Sequence, residues 1–126
     1  MTDGVEETLR VLLVEDDPDL AEATAAFLEA EGLHVRTAQS GREALEIASA
    51  YEPQLVLCDL TLPDMSGMEV VRELRSNPLA HPAYVVILTA RSMAESKSAD
   101  VDAFIMKPLT IELVQALVKA ARSARS

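Results

Sequence analysis

Glu15 and Asp16 stand directly after the apolar run "VLLV", Asp59 closes "LVLCD", Thr89 closes "YVVILT", and Lys107 follows "AFIM". Each is a polar group delivered by a short stretch whose own residues belong in a core. If those stretches lie side by side as parallel strands, three carboxylates, a hydroxyl and an ammonium meet at one edge of a sheet. Two carboxylates about 4 to 5 Å apart repel by roughly 3 to 4 kcal/mol at an effective dielectric near 20, and one lysine does not offset three acids. A hard divalent cation does. An all-oxygen set suits Mg²⁺, which keeps part of its water and binds through one or two carboxylates plus substrate phosphate. Asp59 is then the candidate nucleophile, since a carboxylate can accept a phosphoryl group as an aspartyl-phosphate. The transition state of that transfer is loose, so positioning and charge neutralisation carry the catalysis. Lys107 would share the neutralisation, and the Thr89 hydroxyl would hydrogen-bond a phosphoryl oxygen. Taken singly these residues say little: Glu15 and Asp16 could simply cap the helix that follows, and Thr89 and Lys107 are ordinary strand-end residues. Their coincidence at successive strand ends carries the reading.

The elements that must position them alternate in character. Residues 10–14 read as a buried strand, and 18–31 as a helix with Asp17 as N-cap and Pro18 in its first turn. Leu20, Ala23, Thr24, Phe27 and Leu28 form its apolar face, and Gly32 is the expected C-cap. A short strand at 33–38 precedes a helix that runs from Ser40 to about Tyr51, with Glu43 completing a capping box. Residues 55–58 form the next strand, 68–75 a helix, 84–88 a strand and 103–106 a last strand. The final helix, from 109 to about 124, places Leu113, Leu117 and Val118 on one side. "RSMAESKSAD", residues 91–100, reads as a weak helix at best. Strands alternating with helices make a parallel sheet covered on both faces. In such an open, doubly wound α/β domain, sites lie beyond the carboxyl ends of the strands.

Length and composition bound the rest. The 126 residues point to one domain, 1–126, with a core from about 9 to 122. No apolar run has membrane-spanning length, and "MTDGVEETLR" does not resemble a secretory signal. A single cysteine, Cys58, makes no internal disulfide and points to a reducing cytoplasm; it reads as a small core hydrophobe. The net charge of −10 argues against direct nucleic-acid binding. It is concentrated early: residues 1–73 hold 17 acids and 4 bases, whereas 74–126 hold 4 acids and 7 bases. No glycine-rich loop follows the first strand, and "EDDPD" would repel a nucleotide or flavin phosphate. His34 and His81 lie away from the acids and from each other in this arrangement, so neither is assigned a role.

"RVLLVEDDPDLAEA", "LVLCDLTLPDMSGMEVVRELR", "VVILTA" and "DAFIMKP" together resemble, in order and over nearly the whole chain, the receiver (response-regulator) domain of bacterial two-component signalling. The resemblance implies a flavodoxin-like five-stranded sheet of order 2-1-3-4-5. It implies Asp59 as phosphoacceptor, with Asp16 and Asp59 binding Mg²⁺ directly, Glu15 through water and Thr61 through its backbone carbonyl. Thr89 and Lys107 would contact the phosphoryl group, the Lys107–Pro108 peptide would be cis, and Thr89 with Phe104 would form the conformational switch. The donor would be a phosphohistidine on a sensor histidine kinase or a histidine phosphotransfer protein, in a cytoplasmic phosphorelay. The protein would be a slowly dephosphorylating acceptor and not a turnover enzyme. It would be a stand-alone regulator or a receiver cut from a longer chain.

Alternative readings are an Mg²⁺-dependent aspartate-nucleophile phosphohydrolase and a non-phosphorylated interaction module of the same fold. The phosphohydrolases carry a second acid two residues after the nucleophile; Thr61 occupies that position here. Two departures from the receiver pattern stand out. Thr89 and Lys107 are 18 residues apart, where typical members carry about four more, close to one helical turn. The fourth helix, within 91–100, is therefore expected to be short or mobile. Asp100 and Val101 also replace a common Gly-Ala pair before the last strand, so the tight turn there is expected to differ.

Overall fold

In the structure, a computed structural model that describes residues 8–76, 83–90 and 100–124, the five apolar runs become five parallel strands. They are β1 (Arg10–Val14), β2 (His34–Ala38), β3 (Leu55–Asp59), β4 (Tyr84–Thr89) and β5 (Ala103–Met106). The order across the sheet is β2-β1-β3-β4-β5, as expected. Val11 pairs with Leu55 and Val14 with Cys58, so β1 and β3 end level with each other at the centre of the sheet. Four helices stand among the described residues: α1 (Pro18–Ala30), α2 (Gly41–Tyr51), α3 (Gly67–Ser76) and α4 (Ile111–Ala124).

Two cores explain why the central strands are apolar without alternation. Leu13, Leu57 and Leu88 point to the face covered by α1 and α4, where they meet Leu28, Val114 and Leu117. Val14, Val56 and Ile87 point to the other face, against Ala44 of α2 and Val70 and Val71 of α3. Strands buried on both faces lose the period-two signal. The chain leaves β1 toward β2 over one face and β3 toward β4 over the other, which puts a crevice at the carboxyl ends of β1 and β3.

The helix ends follow local chemistry, with corrections to the expected boundaries. Asp17 Oδ1 accepts from the amides of Asp19 at 3.0 Å and Leu20 at 3.3 Å, the expected N-cap of α1. The cap at the other end is Glu31; Gly32 follows it with φ +88° and donates to the Glu29 carbonyl. Leu20 and Ala23 are exposed instead of inward, and Ala21 and Leu28 are the buried positions of α1. Leu20, Ala23, Thr24 and Phe27 line the side of a groove, and Phe27 also packs against the core that holds Leu28. Ser40 Oγ accepts from Glu43 N, but the Glu43 carboxylate returns to the Gln39 amide, one residue earlier than in a standard capping box. The last helix starts at Ile111, because Thr110 Oγ1 takes the Leu113 amide at 3.1 Å and so acts as its cap. Val114, Leu117 and Ala121 are its buried residues, and Leu113 and Val118 are half-buried.

β5 is the edge strand nearest the site and none of its residues is fully buried. A guanidinium holds its start. Arg75, in the last turn of α3, donates from Nε to the Asp100 carbonyl, from Nη1 to the Ala83 carbonyl and from Nη2 to Asp102 Oδ2, each at 2.9 Å. Asp102 Oδ2 also accepts the Val85 amide at 2.7 Å. This clamp stands where the Gly-Ala turn was expected, and among the described residues only Gly32 and Glu52 have positive φ. The chain thus approaches β5 without a left-handed turn at Asp100. The short or mobile fourth helix expected within 91–100 lies outside the described residues, apart from Asp100 itself.

Arg75→Met is expected to lower stability by about 1 to 2 kcal/mol, a figure reduced for the partial exposure of both charged side chains. The checks are the urea midpoint and amide exchange, which should accelerate at residues 102–106 more than in β1. Unchanged exchange in β5 would mean that the strand ladder alone holds it.

Candidate functional site

Four polar residues are buried among the described residues, and three of them, Glu15, Asp59 and Thr89, sit at the carboxyl edge of the sheet. The backbone puts them there. The Glu15 amide donates to the Ala38 carbonyl at 2.9 Å, which continues the β1–β2 ladder one residue beyond β1. Asp59 is the last residue of β3 and pairs with Leu88. The Lys107 amide donates to the Thr89 carbonyl at 2.7 Å, which fixes the lysine level with the end of β4.

From that position Lys107 Nζ reaches Asp59 Oδ1 at 2.6 Å and Glu15 Oε1 at 3.0 Å. The other Glu15 oxygen accepts the Asp17 amide at 3.2 Å. Asp16 is exposed beside them. Ligand oxygens of Glu15, Asp16 and Asp59 lie within 4.8 Å of one another, a spacing that would suit a metal ion. The structure therefore brings together the four charged residues expected at this edge.

The charge imbalance is visible in the proton affinities. Burial pushes the Asp59 carboxyl up to about 6, and Glu15 adds to this against the pull of Lys107. Burial also pushes Glu15 up, but its hydrogen bonds to Asp59, Lys107 and the Asp17 amide outweigh that and hold it below the ordinary value. Burial would lower Lys107, yet the two carboxylates hold its ammonium above the ordinary value. Cys58, next to Asp59, is buried and its thiol is pushed up to about 12, first by burial and then by the Asp59 charge. It is a core residue and not a nucleophile at neutral pH.

Thr89, Thr61 and Phe104 are the remaining expected positions. Thr89 ends β4 and is buried. Thr61 is exposed in the loop after β3 and forms an antiparallel bridge with Ser66. Phe104 pairs with Ile87, three residues before Lys107, and packs half-buried against the α2–α3 core. The Lys107–Pro108 peptide is cis, as expected. His34 lies at the opposite end of the sheet, where its Nδ1 contacts the Tyr51 hydroxyl at 2.7 Å, and His81 is outside the described residues. Two residues important to the site's geometry were not singled out from sequence. A β-carbon at Gly67 would collide with the Asp59 carbonyl oxygen, and the Gly67 amide donates to the Leu60 carbonyl at 2.7 Å. Asp64 bonds two amides of α2, 22 and 23 residues away in the chain. The turn character of "PDMSG" was the one signal for either.

A family model described as the response regulator receiver domain matches residues 11–119. The chain belongs to that family. Receivers are phosphoryl-accepting signalling switches, and the sheet order is the one that the resemblance implied. A relative, the probable transcriptional regulatory protein TcrX of Mycobacterium tuberculosis, is 36% identical over 118 residues, which are 90% of this chain and 50% of TcrX. The chain thus spans about half the length of that curated relative. The receiver domain from Methylobacillus flagellatus superposes with a TM-score of 0.84 at 28% identity, over 91% of this chain and 99% of that one. The response regulator TrrA from Thermotoga maritima, solved in complex with Mg²⁺ and BeF, gives a TM-score of 0.80 at 30% identity, over 90% and 99% of the two chains. TrrA has also been solved in complex with the histidine kinase ThkA; that TrrA chain is 31% identical with a TM-score of 0.79, over 90% and 98%. Among the described residues of this receiver, no helix is long and apolar enough to cross a membrane.

The raised affinity of Asp59 for its proton has a sign that can be tested. The folded receiver holds that proton more tightly than the unfolded chain. The stabilisation is therefore present below the ordinary value of 3.8 and is lost as pH rises through about 6. Without divalent cations, Asp59→Asn is expected to be more stable than wild type at pH 8 by about 3 kcal/mol at most, with the gap closing toward pH 4. Denaturant midpoints at pH 4, 6 and 8 measure this. A gap independent of pH would contradict the assignment of the strain to Asp59.

Proposed function

We propose that this receiver takes a phosphoryl group from a partner's phosphohistidine onto Asp59, with Mg²⁺, and uses the change to control a partner or an attached output domain. One observation carries the reading: Lys107 Nζ contacts both Asp59 and Glu15, inside a cluster of three carboxylates that a single ammonium does not neutralise. The all-oxygen donor set and the raised proton affinity of Asp59 fit a hard divalent cation. Asp16 and Asp59 would hold it directly, Glu15 through water and Thr61 through its backbone carbonyl. Bound there, Mg²⁺ would supply positive charge to the phosphoryl oxygens and relieve the repulsion among the acids.

The chain's own residues do the rest. A carboxylate oxygen of Asp59 bonds to phosphorus as the phosphorus–nitrogen bond of the donor histidine breaks, and the electron pair returns to the imidazole. Lys107 moves from balancing the Asp59 carboxylate to balancing the new phosphoryl charge. The Thr89 hydroxyl donates to a phosphoryl oxygen, and Phe104 follows that movement as the second half of the switch. With Thr61 in place of a second acid, no side chain of that loop position serves as a general base, which favours a slowly decaying phosphate over turnover. The apolar groove beside Lys107, of about 470 Å³ and lined by Leu20, Phe27, Pro108 and Leu109 among others, fits a helix that carries the donor histidine. The complex of TrrA with ThkA supports a sensor kinase as partner, and a histidine phosphotransfer protein is the other donor of the same chemistry. We read residues 1–126 as one cytoplasmic receiver that makes no direct contact with nucleic acid or membrane; the net charge of −10 supports this.

Incubation with acetyl phosphate and Mg²⁺ is expected to add one phosphoryl group to the wild type, labile to hydroxylamine, and none to Asp59→Asn, as read by intact mass. Equal labelling of both would move the acceptor elsewhere. Millimolar Mg²⁺ is expected to raise the thermal midpoint of the wild type by binding the folded state alone; an unmoved midpoint would count against the cation site.

A further inference from the structure

Asp64 lies three residues beyond Thr61 in the loop after β3, and its carboxylate is committed to the far side of that loop. Oδ1 accepts the Gly41 amide and Oδ2 the Arg42 amide, each at 2.9 Å. These are the first two residues of α2, whose amides have no acceptor within the helix. Those two bonds hold the Asp64 carboxyl below its ordinary value, and the partial positive charge of the helix terminus favours the ionised form. The helix does not depend on Asp64 for its cap, because Ser40 Oγ already accepts the Glu43 amide at 3.1 Å. The next residue adds a packing contact. A β-carbon at Gly41 would collide with the Met65 side chain and lie 2.9 Å from Val70 Cγ2. The base of the loop is held separately: Leu60 N donates to the Leu88 carbonyl at 3.0 Å, and Gly67 N to the Leu60 carbonyl at 2.7 Å. The loop is thus fixed at its base by the sheet and at its tip by α2, and Thr61 lies between the two anchors.

We propose that Asp64 is a positioning residue for the cation side of the site. By clamping the loop to the start of α2 it fixes the Thr61 backbone and the path by which the chain leaves Asp59. Its own carboxylate is occupied by two amides and takes no part in the chemistry. The proposal rests on the reading of Thr61 and the three acids as the cation's holders. A carbonyl ligand on an unanchored loop must be ordered when the cation binds, and that conformational entropy weakens binding. Loss of the anchor should therefore lower cation affinity and leave transfer at saturating cation unchanged.

The test compares two variants that each remove acceptors from the start of α2. Asp64→Ala frees the loop; Ser40→Ala removes a cap of the same helix and does not touch the loop. By titration calorimetry with Mg²⁺ alone, Asp64→Ala is expected to raise the dissociation constant about tenfold, the scale at which groups supporting metal ligands act. Asp64→Asn, which keeps one acceptor, should fall between it and wild type. Ser40→Ala should lose comparable stability and keep wild-type affinity. With acetyl phosphate, the Mg²⁺ concentration at half-maximal labelling should rise in Asp64→Ala, while the rate at saturating Mg²⁺ stays at the wild-type value. Wild-type affinity in both Asp64 variants overturns this proposal alone, and so does an equal loss of affinity in Ser40→Ala. A wild-type protein that takes up no Mg²⁺ overturns the cation reading together with it.

Discussion

Lys107 reaches from the edge strand to two carboxylates on the two central strands, and the charge it leaves uncompensated shapes everything around it. Asp59 is buried, bonded to an ammonium at 2.6 Å, and still holds its proton up to about pH 6. An ordinary buried ion pair does not behave this way; a lysine beside one acid lowers that acid's proton affinity. The second carboxylate, Glu15, and the loss of water tip the balance. The site is built with more negative charge than its one lysine neutralises, which is the condition under which a cation binds with advantage.

The architecture is a means of holding that strained arrangement in place. Glu15 and Asp59 come from adjacent central strands, buried on both faces, so their backbones have little freedom. Lys107 comes from β5, which has one strand neighbour and half-exposed residues, and it needs help. The help arrives from both ends: Arg75 and Asp102 secure the start of the strand, and the Lys107 amide secures the finish on the Thr89 carbonyl. On the other side of Asp59, Gly67 lets the loop close against the Asp59 carbonyl, and Asp64 ties the loop's tip to α2.

Much of this could be read before any coordinates. The alternation of apolar runs with helical stripes gave the sheet, and the residue that followed each run gave the site, because a strand's carboxyl end is where a parallel α/β domain places its chemistry. The caps at Asp17 and Ser40 were legible because they are local. Part of the inward face of α1 was misplaced: of the stripe Leu20, Ala23, Thr24, Phe27 and Leu28, Leu28 and Phe27 join the core, whereas Leu20 and Ala23 are exposed along a groove. Periodicity reports that a face is apolar and not what covers it. The start of α4 moved by two residues, because a threonine hydroxyl competes well for the first free amides.

The sequence by itself determined the fold class, the identities of the chemical groups and their placement at strand ends, since each of these depends on neighbours within a few residues. Only the tertiary structure decided how those groups act on one another. That Lys107 bridges Asp59 and Glu15, that Arg75 spans α3, β4 and β5, and that Asp64 closes on α2 are facts about residues 8 to 92 positions apart. Proton affinities and loop anchoring depend on distances of a few ångströms and on the exclusion of water. Neither is encoded in any local stretch; both are set where the packed sheet brings distant segments together.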